Sequence, residues 1–237
     1  MAEVNIITTT ILNPQSIAPN GLQMWLRSDS GVVLNGSTVS AWTDLSGNGN
    51  NATQSTQASQ PAYITSNATA NGYPTIRLTA SGQVYLQHAL GSVASNFTVF
   101  LVVCSDTGSG ATNFQCVYGN SGGVMLLSNG AGTSGDWGSY LQGYIDSGHT
   151  ILDNGLHSCT WVCPTPTGTQ TYCTDGTIVN ISGGSAYNSA AGYIGQGGGG
   201  TQGVPGDLVE LAVWNTALNN VQLGQLHAYC KDRYGAG

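Results

Sequence analysis

The chain has 237 residues, with 4 Lys and Arg against 11 Asp and Glu, a formal charge of −7 and only 6% charged side chains. That balance excludes nucleic-acid binding by phosphate neutralisation and disfavours anionic membranes, because there is no basic patch to displace counterions. The length suits one all-β sandwich that buries its core unaided.

Met1-Ala2-Glu3-Val4-Asn5 has neither the basic nor the apolar region of a secretory signal. Two expectations follow: a native signal is missing from this chain, or the protein leaves its cell without secretion, as virion proteins do when a host lyses. Residues 1–20 are β-branched and almost uncharged, and Pro14 and Pro19 punctuate them. They are expected to form an edge strand or an extended arm that pairs with a neighbouring subunit. Residues 21–237 read as a single domain without internal repeats.

Trp42-Thr43-Asp44-Leu45-Ser46-Gly47-Asn48-Gly49-Asn50-Asn51 is a dense turn-forming stretch. Its glycines tolerate positive φ, its Asp, Ser and Asn side chains close turns onto neighbouring amides, and Trp42 anchors it to a core. Asp44, Ser46, Asn48 and Asn50 also place oxygens at alternating positions, which makes them a candidate for a weak calcium site. One carboxylate is few for that ion, so a self-bonded loop clamped by Asp44 is the competing reading.

Short β-patterned runs then alternate with Gly/Asn/Ser turns: Thr75–Leu78, Val84–Gln87, Phe97–Val103, Gln115–Tyr118 and Gly123–Leu127. This is the pattern of an antiparallel sandwich or jelly roll. The longest apolar runs are of strand length, so no membrane-inserted helix is expected. In Gly135-Asp136-Trp137-Gly138-Ser139-Tyr140, Trp137 is the tryptophan expected to be exposed on a loop. With Asp136, Tyr140 and Tyr144 it makes the candidate sugar-binding set, an aromatic platform beside polar groups. Trp25, Trp42, Trp161 and Trp214 fall in strand contexts and are expected in the core.

Leu156–Val162 and Gln170–Val179 read as strands, the second turning through Asp175-Gly176 into a tight hairpin. Six cysteines, Cys104, Cys116, Cys159, Cys163, Cys173 and Cys230, permit three bridges, and sequence cannot choose their connectivity. Cys159 and Cys163 share a strand face about 13 Å apart and cannot bond each other. Cys163 and Cys173 flank a turn and are the disulfide pair expected across a hairpin. The only convincing helix is terminal, Val221 to Arg233, capped by Asn219 or Asn220 and ended by Gly235.

The stretch Leu22–Gly31, the W-x-D-x-S-G-N-G-N pattern from Trp42, the strand Asp207–Trp214 and the final helix resemble the laminin-G-like jelly rolls of the concanavalin A-like lectin/glucanase superfamily, as found in bacterial and phage surface proteins. The resemblance covers roughly residues 21 to 235 and is most specific at residues 42–54 and 207–235. It implies an all-β, two-sheet antiparallel jelly-roll sandwich with one short C-terminal helix. That fold hosts lectins, glycanases and structural modules.

Catalysis is not expected. The glucanase branch clusters E-x-D-x-x-E on one strand, and that motif is missing here. Asp207 and Glu210, three apart, should point to opposite faces of a strand. The histidines are scattered. The expectation is therefore a non-catalytic surface-display protein, a phage decoration or attachment protein on the virion surface, possessing at most a calcium ion and no other cofactor. Its partners would be capsid, tail or coat neighbours met through residues 1–20, cell-surface glycans, and further copies of itself. The alternative is a carbohydrate-binding module of a secreted bacterial protein, and a polysaccharide-degrading enzyme ranks below both.

Overall fold

Inward- and outward-facing residues alternate along short strands that build two antiparallel sheets around a core. A computed structural model describes residues 12–79, 81, 83–88, 90, 96–105, 115–120, 123–128, 136–140, 144–151, 153–165, 168–183, 192–196, 203 and 205–236, with backbone alone at 105, 115, 116, 120, 123–128, 140 and 144. A helical turn, α1 (Pro14–Ile17), precedes β1 (Leu22–Arg27), β2 (Val32–Asn35), β3 (Thr38–Trp42), β4 (Ala52–Thr53), β5 (Ala62–Ile64) and β6 (Thr75–Leu78). Next come β7 (Leu86–His88), β8 (Phe97–Ser105), β9 (Gln115–Asn120), β10 (Gly123–Ser128), β11 (Asp136–Tyr140) and β12 (Tyr144–Thr150). The chain ends through β13 (Leu156–Cys163), β14 (Thr169–Thr174), β15 (Thr177–Ser182), β16 (Gly192–Ile194), β17 (Gly206–Trp214) and α2 (Asn220–Tyr234).

One sheet runs β1-β17-β8-β13-β14-β15, every neighbour antiparallel. The other runs from β2 and β3 through β4, β7, β16, β9, β10 and β11 to β12. β5 and β6 link them, since β6 pairs with both β5 and the start of β17. Between the sheets, Met24, Leu26, Val99, Leu101, Leu211 and Val213 meet Val39, Trp42, Leu86 and Ile194. On the outer face of the first sheet, Phe100, Val102, Ala212 and Trp214 are covered by Leu223, Leu226 and Tyr229 of α2 and by Ile17 of α1. β8 and β17 are thus buried on both faces, which is why their sequences are continuously apolar rather than alternating. Trp42, Trp161 and Trp214 are fully buried and Trp25 nearly so, as their strand contexts predict.

The terminal helix forms where expected. Asn219 accepts from the Val221 and Gln222 amides, the Gln222 side chain reaches back to the Asn219 amide, and Gly235 closes the helix in the left-handed region at φ 74°. The expected tight hairpin is present too, with Asp175 and Gly176 both at positive φ between β14 and β15. The described part of residues 1–20 contains the α1 turn packed on the helix-side core. Residues 1–11, on which the expected strand or arm mostly falls, lie outside the described residues.

Asp207 and Glu210 do not point to opposite faces. Leu208 pairs with Val103 while Glu210 pairs with Val102, so the register shifts across Val209. The extra residue of this β-bulge resets the alternation, and both carboxylates end on the helix side of the sheet. Glu210 is fully buried. Trp25 Nε1 donates to its Oε1 at 2.6 Å, while the Tyr229 and Tyr234 hydroxyls donate to its Oε2 at 2.9 and 2.6 Å. Burial raises its pKa, against the opposing pull of these donors. One carboxylate therefore joins β1, β17 and both ends of the last helical turns.

The Asp44 loop is self-bonded. Asp44 Oδ1 accepts from the amides of Trp25 and Ser46, both at 2.9 Å. Its Oδ2 accepts from Ser46 Oγ at 2.8 Å and the Asn50 amide at 2.9 Å. Asn48 and Asn50 turn their side-chain amides onto the carbonyls of Leu22 and Gln23. Both Asp44 oxygens and Ser46 Oγ are thereby occupied by the protein's own donors, as the clamp reading expects.

The cysteines pack as apolar residues. Cys104, Cys159, Cys163, Cys173 and Cys230 are buried free thiols, while the Cys116 side chain lies outside the described residues. The expected Cys163–Cys173 bridge is ruled out by register: Cys173 lies opposite Thr160, three positions from Cys163. Cys163 also faces the inter-sheet core and Cys173 the helix side.

Two outcomes are expected in thermal and chemical denaturation. Glu210→Ala strands three buried donors and should cost about 3–5 kcal/mol. With a folded pKa above the unfolded value of 4.5, the contribution of Glu210 is fully present below 4.5 and is lost as pH rises through the folded value. Glu210→Gln should therefore gain in stability relative to wild type as pH rises. Asp44→Ala should cost about 1–3 kcal/mol by orphaning buried amides, whereas a chelator should leave the wild-type Tm unchanged; a chelator-induced fall would restore the calcium reading.

Candidate functional site

Because α2 covers the outer face of the first sheet, the outer face of the second is the one open to a ligand. Alternation along its strands sends Ala52, Leu86 and Ile194 inward and their neighbours outward. Across the strands, Ala41 pairs with Thr53, Thr53 with Gln87, Gln87 with Tyr193, and Tyr193 with Gly119. The row is thus a hydroxyl, an amide and an aromatic flanked by small residues. Tyr85 stands two residues before Gln87 on the same face, edge-to-face with Tyr193 at 5.5 Å between ring centroids.

Beside this row lies a groove of about 710 Å³ lined by Leu34, Asn35, Ser40, Thr53, Ser55, Thr56, Tyr85 and Gln87, with Gln54 and Gln60 at its base. The two base glutamines are buried and fixed. Gln60 Nε2 donates to the Gln54 carbonyl at 2.7 Å, Gln60 Oε1 accepts from Thr38 Oγ1 at 2.7 Å, and Gln54 Oε1 accepts from the Thr56 amide at 3.0 Å. They hold the loop after β4 against β3, so the wall is formed before any ligand arrives. Asn35, Thr53, Ser55, Thr56 and Gln87 remain exposed, with Tyr85 and Tyr193 half-buried. Such a surface offers donors, acceptors and aromatic faces and no group suited to bond cleavage.

The site expected around Trp137 does not form as such. Trp137 is fully buried on β11, its Nε1 donating to Thr174 Oγ1 at 2.7 Å and its ring edge-on to Tyr172. Asp136 is buried and accepts from Thr150 Oγ1 at 2.5 Å. The glycines around Trp137 suggest a loop, but pairing of β11 with β10 and β12 draws the segment into a sheet. Tyr140 and Tyr144 are cross-strand partners, and their side chains lie outside the described residues. The residues missed were Tyr85, Gln87 and Thr53. The signal for them was the alternation in Val84-Tyr85-Leu86-Gln87-His88, whose Leu86 faces the core.

A second polar cluster lies at the hairpin end. His157 Nδ1 is 2.7 Å from Asp175 Oδ2, and its Nε2 is 2.8 Å from Asp153 Oδ1. Burial pulls the His157 pKa down, but the two carboxylates outweigh it and the net shift is upward. Asp175 also accepts from the Ser158 amide at 2.8 Å, and Ser158 Oγ lies 3.3 Å from His227 Nδ1. Ser158 is buried, and the carboxylates hold His157 rather than the histidine beside the serine. The cluster is therefore a brace between the hairpin and α2, not a relay to a nucleophile. Asp207 is likewise engaged, paired with Arg77 at 2.5 and 2.7 Å and accepting from Asn67 at 2.6 Å.

No protein-family model matches the chain, and no curated protein matches it in sequence. Solved structures do share its fold. Domain 4 of AbnA, a GH43 extracellular arabinanase from Geobacillus stearothermophilus solved with arabinotriose, superposes with a TM-score of 0.60 at 16% identity, covering 87% of this chain and 98% of that one. The binding domain of Paraclostridial Mosquitocidal Protein 1 gives 0.59 at 16%, covering 87% and 52%. Trypanosoma rangeli sialidase gives 0.56 at 13%, covering 91% and 33%. The chain thus spans nearly all of the first structure, about half of the second and a third of the third. At these identities the likeness establishes the fold alone, an antiparallel β-sandwich.

Proposed function

We propose that the chain is a non-catalytic glycan-binding domain, built on a laminin-G-like jelly roll, with the outer face of the second sheet as its binding surface. The observation that carries this reading is the exposed row Thr53–Gln87–Tyr193 beside Tyr85, bordering a preformed groove. A sugar presents hydroxyls that need amide and hydroxyl partners, and a C–H face that packs on an aromatic ring. Likeness to an arabinanase domain solved with arabinotriose and to a toxin's binding domain supports it. Absence of catalysis is inferred from the carboxylates on β17: Asp207 is paired with an arginine and Glu210 is sealed in the core.

The setting we favour is surface display, as a virion decoration or attachment protein or another adhesive coat component, because so few charges leave a surface of hydroxyls, amides and backbone. Likeness to a domain of an extracellular arabinanase favours a second setting, a carbohydrate-recognition module of a secreted bacterial protein, which would use the same face.

A glycan array probed with the full chain should show binding to a restricted set of glycans. Tyr85→Ala and Tyr193→Ala should weaken the hits roughly tenfold, the usual scale for a central aromatic anchor. Thr53→Arg, at an exposed position, should block the groove without unfolding the sheet. A silent array, or hits indifferent to all three variants with unchanged Tm, would sink the proposal.

A further inference from the structure

We infer that this face selects uncharged, extended glycans and holds them without a metal ion. The inference rests on the glycan reading and names the ligand class for the same site.

The first argument is electrostatic. Every side chain lining the groove is neutral: Asn35 and three glutamines, four hydroxyls of Ser and Thr, a tyrosine and Leu34. The rest of the row, Ala41, Tyr193 and Gly119, adds no charge. The chain's arginines are committed elsewhere, Arg77 to Asp207 and both Arg27 and Arg233 to Asp29. Lys231 lies on α2, behind the opposite sheet. A uronate, sialate or sulfate seated here would shed hydration with no cation to replace it, inside the field of a chain carrying −7. A neutral sugar loses nothing of that kind.

The second argument concerns metal. Calcium needs several hard oxygens, carboxylates among them, and no Asp or Glu lines the groove. Amides and hydroxyls must therefore engage the sugar directly. The neighbouring Asp44 loop cannot lend its carboxylate, because four protein donors already occupy it.

The third argument is length. The polar and aromatic members of the row, Thr53, Gln87 and Tyr193, span two strand intervals, about 10 Å at roughly 4.8 Å each. Polar groups spaced in that way match successive residues of a chain lying across the strands, not one terminal sugar. On the groove's far side Leu34, 45% exposed, with Val33 beside it, 51% exposed, offers an apolar lip for the C–H faces of the same chain.

Titration calorimetry of the full chain tests this directly. The probes are neutral oligosaccharides of arabinan, xylan, glucan and galactan, their monosaccharides, and polygalacturonate, sialyllactose and heparin. One neutral series should bind, and affinity should rise with chain length by roughly tenfold or more from monosaccharide to oligomer. It should be unchanged by chelator and nearly flat between about 50 and 500 mM salt, and Gln87→Ala should lower it while leaving Tm intact. Preference for an acidic glycan, loss of binding with chelator, or full affinity for the monosaccharide would each overturn the inference while leaving the glycan reading standing. Failure of every probe, neutral and acidic, would overturn that reading itself and the inference with it.

Discussion

A carboxylate sealed from water holds the two sides of this molecule in place. Glu210 accepts from an indole on β1 and from two phenols on α2 while its own backbone sits in β17. Each donor would be unsatisfied in that setting without it, and the carboxylate would be intolerable there without them. The arrangement fixes where α2 lies on the first sheet. Asp29, bridging Arg27 and Arg233 at 2.5 Å each, repeats the connection nearer the surface between β1 and the end of the helix. Glu210 is in phase with Ala212 and Trp214 on the helix side, and the Val209 bulge brings Asp207 to that same side.

The proposed binding face follows from that placement. A helix fastened over one sheet leaves the other sheet's outer side bare, and the alternation of its strands decides what is displayed. The inward residues are the ones the core requires. Their neighbours are free of packing constraints, and they are a threonine, a glutamine and tyrosines rather than charges. Gly192 shows how closely the two sides are coupled. A side chain there would collide with the buried ring of His88, which stacks on Tyr118, so β16 carries a glycine immediately before the exposed Tyr193. The Gln54–Gln60 bonds complete the wall from below. Rigidity of this kind would limit the ordering cost of the sugar chain proposed to bind there.

Much of the fold was legible in the residues. The tight Asp175-Gly176 turn, the Asn219 cap and the Gly235 stop are set by local chemistry, so each appears where its sequence places it. The core tryptophans were legible for the same reason, since strand context fixes their burial. What failed depended on register, which no local pattern encodes. Trp137 between glycines resembles a loop until β10 and β12 flank it. Cys163 and Cys173 look apposed until the hairpin register sets them three positions apart on opposite faces. Asp207 and Glu210 look divergent until one extra residue turns both the same way. The proposed binding face was hidden differently. Tyr85 and Gln87 are ordinary strand residues, and only knowing which face α2 covers makes their outward side worth attention.

The thiols bear on where such a molecule can be made. Burial pushes Cys104 and Cys163 up to about 12 and Cys173 to about 11, and holds Cys159 and Cys230 well above the ordinary thiol value. Oxidants and disulfides react with the thiolate, and these five sulfurs scarcely form it. Among the described cysteines, then, stability is indifferent to redox poise. For those five, burial rather than bridging is the contribution to the fold, and thiolate chemistry is closed to them in reducing and oxidising surroundings alike.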